Sequence, residues 1–126
     1  TDIIRKGHAY LAPGDANLEV LKSQNGFIVK RVAPDGTERY TPSVNHLFAS
    51  AAKAVGGDLL AVVLTGMGDD GAQGAQIVHE QGGRVLVESE ETAVIFGMPR
   101  STIETGIPVQ QRPLHMVADH IAMFSR

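Results

Sequence analysis

Two spacings of apolar residues divide the chain. In its first third, "NLEVLKS" and "FIVKRV" carry apolar side chains largely at alternate positions, on either side of Gln24-Asn25-Gly26. Alternation of that kind marks half-buried strands, and Asn-Gly between two such runs is a hairpin signal. "HAYLAP" reads as a further short strand closed by Pro13-Gly14-Asp15, and Pro34-Asp35-Gly36 forms the next turn. After residue 40 the spacing changes. Val44, Leu47, Phe48, Ala51, Ala52 and Val55 fall at i, i+3, i+4, i+7, i+8 and i+11, the stripe of one helix face. Thr41-Pro42-Ser43 supplies a cap with proline at the first helical position, and Gly56-Gly57 ends the helix.

"LLAVVLT" is apolar at every position before its threonine, so both faces of that strand expect cover, as in a parallel sheet. A helix should start near Asp69 or Asp70 and run to Gly82-Gly83. "RVLVES" is the next strand, and Pro99 opens a short helix that Gly106 closes. "IPVQQ" is extended, and Leu114, Val117, Ala118, Ile121 and Ala122 form the face of a last helix. From residue 43 onward the order is αβαβαβα. This predicts an α/β fold: a doubly wound, mostly parallel, Rossmann-like sheet with an added β-hairpin. In such a fold ligands and reacting groups gather at the carboxyl ends of the strands.

Composition narrows the function classes. A chain of 126 residues suits a single domain spanning 1–126, and 43% hydrophobic with 20% charged residues reads as globular. The net charge is −3 and the Lys and Arg residues are scattered, which argues against a nucleic-acid partner. No apolar run reaches the ~18 residues of a membrane span, so no direct membrane insertion is expected. With no cysteine there is no disulfide framework and no thiolate metal site, and a cytoplasmic location is expected.

The chemistry concentrates where the "LLAVVLT" strand ends, at Gly66-Met67-Gly68-Asp69-Asp70-Gly71. These residues spell G-x-G-x-x-G between a strand and a helix, with Glu88 or Glu90 about 20 residues on, the context of a dinucleotide-binding turn. Electrostatics opposes that reading. A pyrophosphate binds the N–H groups of the helix start, and two aspartates already stand there. Like charges at ~4 Å repel by about 1 kcal/mol even in water. Asp69 or Asp70 could simply cap the following helix. One of them could orient a histidine in a Ser-His-Asp arrangement, with nearby backbone N–H groups as an oxyanion hole. A divalent metal would need a third ligand that the loop does not offer, and no cofactor or metal is expected.

"VVLTGMGDDGAQG" followed by "VIFGMPR" resembles the catalytic domain of the chemotaxis protein-glutamate methylesterases, the CheB family. "GHAYLAPGDANLEV", "TPSVNHLFASAA" and "GGRVLVESEETAVIFGMPR" fit it in the same order, so the resemblance spans essentially the whole chain. It implies a serine hydrolase that removes methyl esters from glutamyl side chains of methyl-accepting chemoreceptors and deamidates some glutamines. It implies Asp70 as the triad carboxylate and Met67, between Gly66 and Gly68, at the oxyanion site. Asp69 falls at a variable position of the motif. Gly97 and Met98 of "FGMPR" should line the same strand-end surface, with Arg100 in solvent.

The chain departs from the family in one respect. The family's nucleophile lies in a Gly-x-Ser-Thr-Gly turn and its histidine in a Gln-His pair, both before the "GHAYLAPGD" segment. None of Ser23, Ser43, Ser50, Ser89, Ser101 and Ser125 has that context, and neither do His8, His46, His79, His115 and His120. The expectation is therefore roughly the last two-thirds of a methylesterase catalytic domain, inactive alone and prone to associate through exposed apolar surface. In the family a receiver domain commonly precedes the catalytic domain. The competing readings are a nicotinamide-dinucleotide module and a non-catalytic interaction domain.

Overall fold

The computed structural model describes residues 1–126. Its elements are β1 (Asp2–Ile3), β2 (Asn17–Ser23), β3 (Gly26–Val32), α1 (Val44–Val55), β4 (Leu60–Val63), α2 (Ala72–Glu80), β5 (Arg84–Glu88), α3 (Gly97–Glu104), β6 (Gln110–Arg112) and α4 (Leu114–Phe124), with a 3₁₀ turn at Gly56–Asp58. They form two sheets. The first is antiparallel in the order β1-β3-β2, and the second is wholly parallel in the order β4-β5-β6. This is the α/β fold with an added hairpin that the two spacings predict.

The hairpin closes on Ser23 opposite Gly26, so its two loop residues are Gln24 and Asn25, and Gly26 opens β3 at φ 149. "HAYLAP" is not a strand. The outer edge of β3 is taken by Asp2 and Ile3, which stand opposite Val29 and Ile28. Gly7 turns the chain at φ 75, and the Tyr10 hydroxyl ties this turn to β1 by donating to Ile3 O and accepting from Arg5 N. Leu11, which a half-buried strand would shelter, is 95% exposed.

Helix α1 buries Phe48, Ala51 and Ala52, the centre of its apolar stripe, and Gly56 caps its end at φ 71. Its start differs from expectation. Ser43, not Thr41, is the N-cap, with Pro42 outside the helix. Buried Asn17 explains the shift. Its Oδ1 accepts Ser43 N at 2.8 Å, which holds Ser43 extended and leaves its hydroxyl to accept His46 N at 3.1 Å.

The core lies between α1, α2 and one face of the parallel sheet. Phe48 and Ala52 meet Ala75 and Val78 over Ala61, Val63, Val85 and Val87. β5 is covered on both faces, as every residue from Val85 to Glu88 is buried. β4 is covered on one. Its second face carries half-buried Leu60 and Val62, followed by Leu64 at 41% exposure, and β4 is an edge strand. Expected boundaries move at three further places. α2 begins at Ala72 after Gly71 in the left-handed region. α3 begins two residues before Pro99. β6 lies at Gln110–Arg112 rather than 107–111, clear of Pro108, which has no N–H to give a ladder.

Candidate active site

The loops after β4 and β5 are joined edge to edge. Gly66 N donates to Ile95 O at 2.9 Å, and Met98 N donates to Gly66 O at 2.8 Å. Between them Ile95 N donates to Thr65 Oγ1 at 2.8 Å. Backbones this close leave no room for side chains. A Cβ on Gly97 would lie 3.0 Å from both Gly66 O and Gly68 N, and one on Gly66 would strike the Met98 sulfur. The Gly-Met-Gly and Phe-Gly-Met-Pro-Arg stretches therefore form one interlocked unit. Met67 projects from its tip at 80% exposure, while Met98 packs inward against the core.

Glu88 braces this unit from beneath. Its carboxylate is almost wholly buried, with Oε1 accepting Thr65 N at 2.9 Å and Oε2 accepting Thr92 Oγ1 at 2.8 Å. Thr92 Oγ1 in turn accepts Leu114 N at the start of α4. Glu88 is thus engaged within the protein and does not face a ribose site. Glu90 is exposed and pairs loosely with Arg100, 3.6 Å away. Arg100 also lies over the Phe96 ring, on the surface as expected.

The two aspartates point apart. Asp69 faces Arg39 at 3.7 Å and is largely in solvent. Asp70 is 6% exposed and turns toward α1, where Oδ2 accepts Val44 N at 2.8 Å and Oδ1 accepts Asn45 N at 3.0 Å. Neither aspartate side chain caps α2. That part is taken by Asn45, whose Oδ1 accepts Gly71 N at 3.0 Å and Gly74 N at 2.8 Å. The expectation of an aspartate cap on α2 is corrected: the carboxylate caps the other helix. Diverging carboxylates do not form a metal pair. The amides a pyrophosphate would need at Gly66, Gly71 and Gly74 are already bonded within the protein.

The Met67 and Gly68 N–H groups make no hydrogen bond within the chain. Gly68 adopts φ 90, and a Cβ there would lie 2.6 Å from the Tyr40 hydroxyl. Tyr40, Asn45, Thr65 and Thr92 are site residues that sequence reasoning passes over. Asn45, Thr65 and Thr92 carry only the signal of a polar side chain beside apolar residues, and Tyr40, between Arg39 and Thr41, carries none. No histidine reaches Asp70, whose hydrogen-bond partners are both backbone N–H groups. His46 bonds Glu19 at 2.8 Å and faces Glu38 at 3.6 Å, and His8 meets Lys6 O.

A parallel α/β sheet with a buried carboxylate and interlocked glycine loops at its strand ends defines the class of domain. The CheB methylesterase family model matches residues 1–121. The chain is 41% identical to a protein-glutamate methylesterase/protein-glutamine glutaminase of Myxococcus xanthus over 125 residues, 99% of this chain and 36% of that protein. It is 44% identical over 107 residues to a relative of the same description in Geobacter sulfurreducens, 84% of this chain and 29% of that one. The crystal structure of the Thermotoga maritima CheB methylesterase catalytic domain matches with a TM-score of 0.84 at 35% identity, covering 89% of this chain and 59% of that chain. The chain belongs to the CheB methylesterase family. It spans about a third of the curated relatives it matches.

Proposed function

We propose that the chain is the carboxylate-bearing part of a cytoplasmic protein-glutamate methylesterase catalytic domain, acting on glutamyl methyl esters and some glutamines of chemoreceptors. One observation carries the reading: of the two aspartates in the glycine loop, only Asp70 is sheltered and held at both oxygens. A carboxylate has about four lone-pair sites, so two remain for an imidazole N–H. The nucleophilic serine and the histidine belong to parts of the esterase outside residues 1–126, as does a receiver domain.

In such a site the serine oxygen attacks the ester carbonyl while the histidine takes the serine proton. The histidine returns that proton to the departing methoxide, releasing methanol. Water then hydrolyses the acyl-enzyme to the glutamate side chain. Asp70 fixes the imidazole tautomer and stabilises the imidazolium. In this reading the Met67 N–H, which makes no hydrogen bond within the chain, donates to the oxyanion, with Gly66, Gly68, Gly97 and Met98 holding its loop.

Methanol release from methylated chemoreceptors tests the reading. A full-length esterase containing residues 1–126 should turn over, and the isolated chain should not, because a triad carboxylate cannot activate an absent nucleophile. Turnover by the isolated chain would refute it. A full-length protein without esterase activity would favour a non-catalytic interaction domain.

A further inference from the structure

α1 and α2 begin side by side, and each start is capped from the other. The Val44 and Asn45 N–H groups at the start of α1 go to the Asp70 carboxylate, before α2. The N–H groups of Gly71 and Gly74, at the start of α2, go to the Asn45 side chain on α1. Asn45 is the only residue present on both sides of this exchange. Its backbone grips the carboxylate, and its side chain grips the backbone on which that carboxylate is mounted. The helices are already too close at this point to move together and relax it. A Cβ on Gly74 would lie 2.7 Å from the Phe48 Cβ and 3.0 Å from the Asn45 Cα.

We infer that Asn45 is a positioning residue for the reaction, setting the direction in which Asp70 presents its free lone pairs. This rests on the reading of Asp70 as the triad carboxylate. Removing the Asn45 side chain frees two N–H groups at the start of α2, so the segment loses its tie at Gly71 and hangs on the Asp70 carboxylate itself, which keeps its two amides. The carboxylate then moves relative to the histidine it must orient, and displacements of ~1 Å cost on the order of 100-fold in rate. Asn45 Nδ2 makes no hydrogen bond within the chain, so only the oxygen is used. Aspartate at 45 keeps an oxygen in that place, and alanine does not.

The test uses a full-length esterase containing residues 1–126, with folded sites counted by exhaustive, end-point labelling with a serine-directed phosphonate, which does not depend on how fast each variant reacts. Methanol release is then expressed per labelled site. Asn45→Ala should lower kcat per site about 10- to 100-fold with KM for the methylated receptor unchanged. Asn45→Asp should recover most of it. A structural role alone would reduce the number of labelled sites and leave kcat per site intact, and that result overturns the inference. If Asn45→Ala does not fold, Asn45→Gln, which carries the oxygen one methylene too far, takes its place with the same two outcomes. Asp70→Asn runs in parallel. Full activity there refutes the triad reading itself, whereas loss in Asp70→Asn with full kcat in Asn45→Ala refutes only the role of Asn45.

Discussion

Gly97 sits so close to Gly66 that a single added Cβ would stand 3.0 Å from the Gly66 carbonyl oxygen and equally close to Gly68 N. Its neighbours there are backbone atoms, fixed by the Gly66–Ile95 and Met98–Gly66 hydrogen bonds. At Gly66 the obstacle is instead the flexible Met98 side chain. Gly97→Ala should therefore destabilise by about 1–3 kcal/mol, the range for forcing atoms into a packed site, and Gly66→Ala by less. Paired urea denaturation checks this. Equal midpoints for the two variants would contradict the interlocked loops.

Glu88 links three segments through two oxygens and one threonine hydroxyl. Glu88→Leu strands the part-buried Thr65 N–H and Thr92 hydroxyl, at a cost for each below the roughly 1–3 kcal/mol of a fully buried unpaired group, because water reaches both. Glu88→Gln keeps an acceptor for Thr65 and should cost less. Thr92→Val removes the acceptor for Leu114 N, so hydrogen exchange at the start of α4 should quicken while exchange in β4 and β5 holds. Unchanged exchange at Leu114 would show that the bridge contributes nothing to that helix end.

Asp35 titrates below its ordinary value of 3.8 because the Thr37 hydroxyl, then the Thr37 N–H, donate to its carboxylate. A depressed folded-state pKa stabilises above the unfolded value, and that contribution is lost as pH falls through the folded one. Thr37→Val removes the larger cause, so the Asp35 pKa should rise toward 3.8. Carbon-detected NMR titration of the carboxyl reads it directly. No rise would assign the shift to the backbone N–H alone.

How far the fold can be read from the sequence depends on where each determinant lies. α1 is legible because burial repeats within it along the Val44–Val55 stripe, whereas the apolar run before Thr65 reveals the β4 strand but overstates its cover, since Leu60, Val62 and Leu64 lie on its less covered face. "HAYLAP" misleads because its few alternating positions carry little information, while the β3 edge it would join is claimed by Asp2 and Ile3. The helix caps are illegible for another reason. A local reading assigns a cap to the nearest Asp, Ser or Thr. Here Asp70 serves a helix that starts 26 residues before it, and Asn45 serves one that starts after it. Asp70 itself stands out through a family motif, but nothing around Asn45 or Thr65 distinguishes them from ordinary polar positions until the loops are seen together.

In the proposed site one of two adjacent carboxylates carries the chemistry, and the pair supplies its own control. Asp69→Asn and Asp70→Asn remove the same charge one residue apart, in a solvent-facing and a buried side chain respectively. In a full-length esterase containing residues 1–126, kcat for methanol release from methylated chemoreceptors should fall by about four orders of magnitude for Asp70→Asn, the loss that accompanies the wrong imidazole tautomer. Asp69→Asn should stay within a few-fold of wild type. Comparable activity in the two variants, or turnover that survives Asp70→Asn, would contradict the account.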